Sequence, residues 1–230
     1  MKKLLALVAF MGVLALAACG GTGGGGDSGD GGCGGCSGSG GTDMTQMMID
    51  NIKETTYWVT VHKDAKAGQY WETSSEAYGS KNTTRWQIAK VDGDVAIVEM
   101  QMKSKGEYSS YDYVTAYQVD TSVAMGEVNV QKAWIGKAGE KGKEIGVMAK
   151  PAPVCGGKAP ETTEEPFADL ELGGGKWSGK IITMKGDGWE SKTWMADNGW
   201  FGGMIKSEVS GMVTALSAFG EDAKPLLSWE

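Results

Sequence analysis

The chain has 230 residues, with 29 Asp and Glu against 22 Lys and Arg, a net charge of −7 and 41% hydrophobic residues. An acidic balance of this kind supplies no electrostatic footprint for a nucleic-acid backbone and no polybasic patch for anionic lipid. One histidine and four cysteines leave too few ligands, too far apart, for a recognisable zinc or histidine-metal set, so no metal and no cofactor is expected.

The chain opens with Met1-Lys2-Lys3 and then runs apolar from Leu4 to Ala18, broken only by Gly12. At ~1.5 Å per residue those fifteen or so positions reach about 23 Å as a helix, short of a ~30 Å hydrocarbon core. A positive start followed by a short apolar run predicts a signal peptide over residues 1–18 rather than a retained span. The run ends in Leu16-Ala17-Ala18-Cys19, which resembles the box of bacterial membrane lipoproteins: an aliphatic residue, two small residues and the acylated cysteine. The resemblance implies cleavage before Cys19, a thioether-linked diacylglycerol on its sulfur and an amide-linked chain such as palmitate on its new amino terminus. One chain is a marginal anchor at ~0.8 kcal/mol per buried CH₂, and two or three hold stably. Gly20 stands where Asp favours inner-membrane retention, which implies the outer membrane in a Gram-negative host. Loss of Lys2 and Lys3 with the leader takes the charge from −7 to −9.

Residues 19–42 are then the lipidated cysteine and a glycine-rich tether that buries no apolar area and loses much backbone entropy on ordering. Its coil reach is about 25 Å. With Cys19 acylated, Cys33, Cys36 and Cys155 remain, an odd set that predicts one disulfide within the tether or between the tether and Cys155. Cys33-Gly-Gly-Cys36 has redox-motif spacing, but it lacks the βαβ setting and helix amino terminus that lower a thiol pKa. A thiol-redox protein using Cys33 and Cys36 is the least favoured reading.

Residues 43–230 read as one mainly antiparallel β domain. Residues 43–56 predict a helix, capped by Asp43 or Thr42, with Met44, Met47, Met48 and Ile52 on its apolar face. Short alternating runs follow: 57–62, 68–75, 83–91, 95–102, 111–119, 126–135 and 144–148. After a Pro- and Glu-rich loop at 150–166 come 167–172, 177–185, 188–196, 203–209 and 212–219. Asp92-Gly93 and Asp187-Gly188 mark hairpin turns, where glycine supplies the positive φ. The expected fold is mainly β: a curved antiparallel sheet or half-barrel with one N-terminal helix.

The run from Trp189 to Glu208 has a rhythm of strand ending in Trp, short turn, and Gly-Gly leading a strand with Lys and Glu outward. Over residues 57–220 that rhythm resembles exported bacterial proteins with a half-barrel sheet, similar to the LolA/LolB-type lipoprotein carriers. The resemblance implies an antiparallel half-barrel covered by helices, although only one clear helix is present here. It carries over no ligand residue.

No catalytic set is found. His62 is the sole histidine, no Gly-x-Ser-x-Gly elbow is present, and Gly173-Gly-Gly-Lys176 lacks the spacing of a phosphate loop. Glu161, Glu164 and Glu165 read as a solvated charged loop. Trp177, Trp189, Trp194 and Trp200 fall in or beside successive strands and either floor an apolar or sugar-binding concavity or form the sheet's core. The expected role is therefore a non-enzymatic, membrane-anchored envelope protein that binds an apolar or lipid-like ligand. The alternative is a structural or protein-interaction module with a filled core.

Overall fold

The computed structural model describes residues 42–62, 64–77, 79–152, 160–198 and 203–229. Cys19, Cys33, Cys36, Cys155 and Trp200 lie outside the described residues, and so do the leader and the tether up to residue 41.

A two-residue strand, β1 (Thr42–Asp43), precedes a short helix, α1 (Thr45–Asn51). The Asp43 carboxylate accepts the Thr45 N–H at 2.9 Å and is held below its ordinary pKa by the Thr45 side chain and backbone. The helix is about half as long as the periodicity predicts. Ile52 is already extended, and Glu54–Thr55 forms β2, which pairs in parallel with Gly146 and Val147. β-branched Thr55 and Thr56 fit a pleated ladder better than a helix, and pairing with another strand wins over local pattern. The buried face is also rotated. Thr45 and Ile49 are buried, Met48 and Ile52 pack beside them, and Met47 is 47% exposed.

The predicted strand at 57–62 is absent. A side chain takes the place of a strand partner at its centre: buried Asn129 accepts the Val59 N–H at 2.9 Å and donates to the Val59 carbonyl at 2.8 Å. An amide that imitates a neighbouring strand in this way, with the Tyr57 carbonyl accepting the Asn129 and Val130 N–H groups at 3.1 Å, holds the segment without a ladder.

The remaining strands form two antiparallel meanders. The first is β3 (Tyr70–Ala77), β4 (Ser80–Asp92), β5 (Val95–Lys105), β6 (Ser109–Asp120), β7 (Val130–Gly136) and β8 (Lys143–Val147). The second is β9 (Glu161–Leu172), β10 (Gly175–Gly186), β11 (Trp189–Ala196), β12 (Met204–Val209) and β13 (Met212–Gly220). Antiparallel β3 and β13 join them, giving the order β2-β8-β7-β6-β5-β4-β3-β13-β12-β11-β10-β9, with β1 parallel beside β6. The fold is thus mainly β, one large curved and unclosed sheet with one helix among the described residues. Gly93 (φ 59) and Gly188 (φ 79) both occupy tight turns: Asp187-Gly188 as expected, and Gly93-Asp94, one residue later than the expected Asp92-Gly93 because Asp92 still belongs to the strand.

The Pro- and Glu-rich loop ends earlier than expected. Residues 161–166 are already strand, at the sheet's outer edge, where Pro166 needs no ladder partner on its solvent side. Glutamates and a proline on that edge discourage pairing with another chain.

Three apolar clusters hold the sheet. On one face of the first meander, α1 and the segment around Val59 cover Val98, Tyr117, Val119 and Ile135. On its opposite face Ile97, Val114, Ala116 and Trp134 are covered by Leu226, Leu227 and Trp229 of the C-terminal tail. The second meander curls over Trp177, Ala196, Ile205 and Leu216, with Gly173 of its β9–β10 turn lying against Leu216 of β13.

Candidate binding surfaces

The tryptophans expected to floor a concavity have separate fates. Trp177 is 4% exposed, donates its indole N–H to the Leu172 carbonyl at 2.9 Å and meets Phe219 edge-on at 5.3 Å. It is a core residue. Trp194 is half-buried under the Lys206 ammonium, 4.3 Å from the ring centroid, a cross-strand cation–π pair. Trp189 is 38% exposed and lies over Gly186, its cross-strand partner, where any Cβ would strike the indole. None of these three lines a described groove.

The interior of each meander is filled by its own side chains. Val98, Tyr117, Val119 and Ile135 are at most 2% exposed in the first, and Ile205 and Leu216 likewise in the second. An aromatic row crosses the seam, with Trp71 stacked on Trp86 at 6.2 Å and Trp86 on Tyr117 at 6.0 Å. Burial pushes the Tyr113 and Tyr117 hydroxyls up to about 12.

Sequence reasoning missed the outer face of the first meander. Glu99 lies there, fully buried in the middle of β5. Its carboxylate accepts the Leu226 N–H and the Leu227 N–H, both at 2.8 Å, and the Gln87 amide at 2.7 Å. The same Gln87 amide donates to the Lys224 carbonyl at 2.7 Å. Desolvation raises the Glu99 pKa, and the three donated hydrogen bonds oppose that rise. The tail is fixed further by Gly139 N–H to the Leu226 carbonyl at 2.7 Å and Gly142 N–H to the Ser228 carbonyl at 2.8 Å. A buried carboxylate thus pins a peptide strap across the sheet. The available signal was a lone Glu inside the apolar run Val95-Ala-Ile-Val-Glu-Met100.

Beside the strap is an open groove of about 400 Å³. Two register shifts build its floor. One between Ile88 and Lys90 brings Lys90 opposite Ile97, and one between Gln118 and Val119 brings Gln118 opposite Lys132. Lys90, Ile97, Gln118 and Lys132 therefore form one row across β4 to β7. At ~4.8 Å per strand, the two lysine α-carbons are about 14 Å apart. Trp134 and Trp229 flank the row on the strap side, and Asp92 and Val95 on the turn side.

A second groove, of about 240 Å³, lies on the outside of the second meander among Glu161, Glu165, Glu190, Lys185 and Lys192. Its two lysines both reach Glu190, at 3.2 and 3.8 Å. Glu164 is bonded to Lys180 at 3.1 Å. Among the described residues no group of three His, Cys, Asp or Glu side chains is placed to hold a metal. His62 accepts the Asp64 N–H on Nδ1 at 3.1 Å.

No family model and no curated protein matches the chain. Among solved structures, the hypothetical protein CT021 from Chlamydia trachomatis is similar at 12% identity with a TM-score of 0.41, over 73% of this chain and 94% of that chain.

Proposed function

We propose that the protein is a lipid-anchored, non-enzymatic component of the bacterial envelope that works through its outer surface, as an interaction module, rather than by carrying a ligand inside its sheet. The observation that carries this reading is the filled interior. A carrier of an apolar ligand needs a vacant concave face, and here Tyr117, Ile135, Ile205 and Leu216 occupy that volume. The anchor in the reading is Cys19 in Leu16-Ala17-Ala18-Cys19, followed by the glycine tether, and the outer membrane is its address in a Gram-negative host.

Two measurements test it. Metabolic labelling with palmitate is expected to mark the wild-type chain and to leave Cys19→Ser unlabelled. Cys19→Ser protein is expected to take up no apolar dye and to release no lipid to mass spectrometry. Saturable dye binding at one site would return the domain to the ligand-carrier class, and an unlabelled wild type would remove the anchor.

A further inference from the structure

We infer that the groove between the C-terminal strap and the β4–β7 row is a binding site for a short acidic saccharide, with the indole of Trp229 as its stacking wall and Lys90 and Lys132 as its anion contacts. This deepens the outer-surface reading by naming what that surface holds, and it does not depend on the anchor.

The first step is preorganisation. A tryptophan outside any helix or strand would ordinarily be mobile, but Trp229 follows a strap whose Leu226 and Leu227 N–H groups are bound by a fully buried carboxylate. Leu227 is itself buried, and the Ser228 N–H donates to the Glu140 carbonyl at 3.0 Å. The indole is half-buried rather than packed away, so one part of it seals the outer cluster and another lines the groove. Rigid aromatic area of this kind gives affinity with little further loss of entropy.

The second step is the composition of the lining. Lys90, Asp92, Gln118 and Lys132 alternate with apolar groups, so the groove is too polar for a lipid tail and too apolar for a bare ion. A sugar ring matches that mixture, since its C–H face stacks on an indole or on Ile97 while its hydroxyls bond amide and carboxylate oxygens. The volume falls in the ~300–1,000 Å³ range of small-molecule sites.

The third step is charge. The chain as a whole carries −7, yet this groove presents two lysines against one carboxylate. Lys90 is only loosely held by Asp92, at 3.9 Å with both side chains more than half exposed, and an exposed pair of that geometry contributes little. Lys132 is exposed at the other end of the row. Two ammonium groups on flexible stems, rooted at α-carbons about 14 Å apart, select a ligand with negative charge spread over more than one ring. The groove on the second meander differs on this point, because its two lysines share the lining with three glutamates.

The experiment is calorimetric titration of the full chain in detergent micelles. The probes are oligogalacturonates and hyaluronan fragments of two to four rings, with cello- and chito-oligosaccharides as neutral counterparts. Acidic probes are expected to bind about tenfold or more tighter than neutral ones, and to weaken with added salt. Lys90→Glu and Lys132→Glu, both at exposed positions that leave the fold intact, are expected each to reduce that binding about tenfold. Trp229→Ala should abolish it, while Lys180→Glu on the second meander should leave it unchanged. The inference is overturned if no acidic probe binds the wild type, if neutral probes bind equally well, or if binding survives Lys132→Glu. It is also overturned if the chain sediments as a dimer that Lys132→Glu dissociates, because the groove then belongs to a second copy. A dye-binding interior would sink the outer-surface reading while leaving this titration untouched, so the two failures are distinguishable.

Discussion

The two meanders solve the same packing problem differently. Strands β5 and β6 are buried on both faces, one under α1 and the Val59 segment, the other under the C-terminal strap. Strands β11 and β12 bury one side into a curled core and leave Lys192, Lys206 and Glu208 outside. A strand covered on both faces carries a near-continuous apolar run, and one covered on a single face alternates. Val95-Ala-Ile-Val-Glu-Met100 against Met204-Ile-Lys-Ser-Glu208 states the contrast in sequence. The lesson is that an extra covering layer can come from a segment with no secondary structure, provided its backbone groups are bonded. Glu99 and Asn129 do that bonding.

The largest expected effect breaks the second meander. Trp177 fills the curled core, and its truncation to Ala removes a buried indole, the edge-on contact with Phe219 and the bond to the Leu172 carbonyl. We expect a loss of about 4 kcal/mol, read from the denaturant midpoint. Because β3 and β13 join the meanders through an antiparallel ladder that runs, with one bulge, from Thr214 to Gly220, one cooperative transition is expected rather than two. Two transitions would mean that the meanders are separate folding units.

The next effect singles out the first meander. Glu99→Ala strands the Leu226 and Leu227 N–H groups beside a cavity, and about 3 kcal/mol should be lost. Hydrogen exchange should become fast at Leu226, Leu227 and Ser228 while the second meander stays protected. Glu99 also gives the comparison a pH signature. Burial raises its pKa above the ordinary 4.5, so the folded chain holds the proton more tightly than the unfolded one. The contribution of this group is therefore full below about pH 4.5 and is lost as pH rises through the raised value. Glu99→Gln should flatten that slope, and a slope unchanged in Glu99→Gln would assign it to other groups.

Most of the sheet was legible in the sequence. Alternation placed eleven of the strands and the Asp-Gly pairs placed two turns to within a residue, since both signals are local and the pleat has a strict period. What was not legible depends on contacts far apart in the chain. Residues 57–62 alternate like a strand, yet Asn129, seventy positions after Val59, takes the hydrogen bonds of that central residue. The groove was hidden for a similar reason. Two bulges reset which side chains face outward, so Lys90 and Lys132 meet only when the register is known. The tail after β13 has no period at all, and nothing local marks Trp229 as the partner of Trp134.

The smallest expected effect tests whether the outward aromatics of the second meander stabilise it. Lys206 stands over Trp194 and also reaches Glu208 at 2.7 Å, so it is held from two sides while three-quarters of its side chain is shielded from solvent. Lys206→Ala removes both contacts and should cost about 1 kcal/mol, with Lys206→Met recovering part of it through stem packing on the indole. The measurement is a pair of thermal melts at low and high salt. The ion-pair share should vanish with salt, and the indole share, being shorter in range and partly buried, should persist. If both shares vanish together, the ammonium is held by Glu208 alone, and the second meander owes its stability wholly to the curled core beneath Trp177.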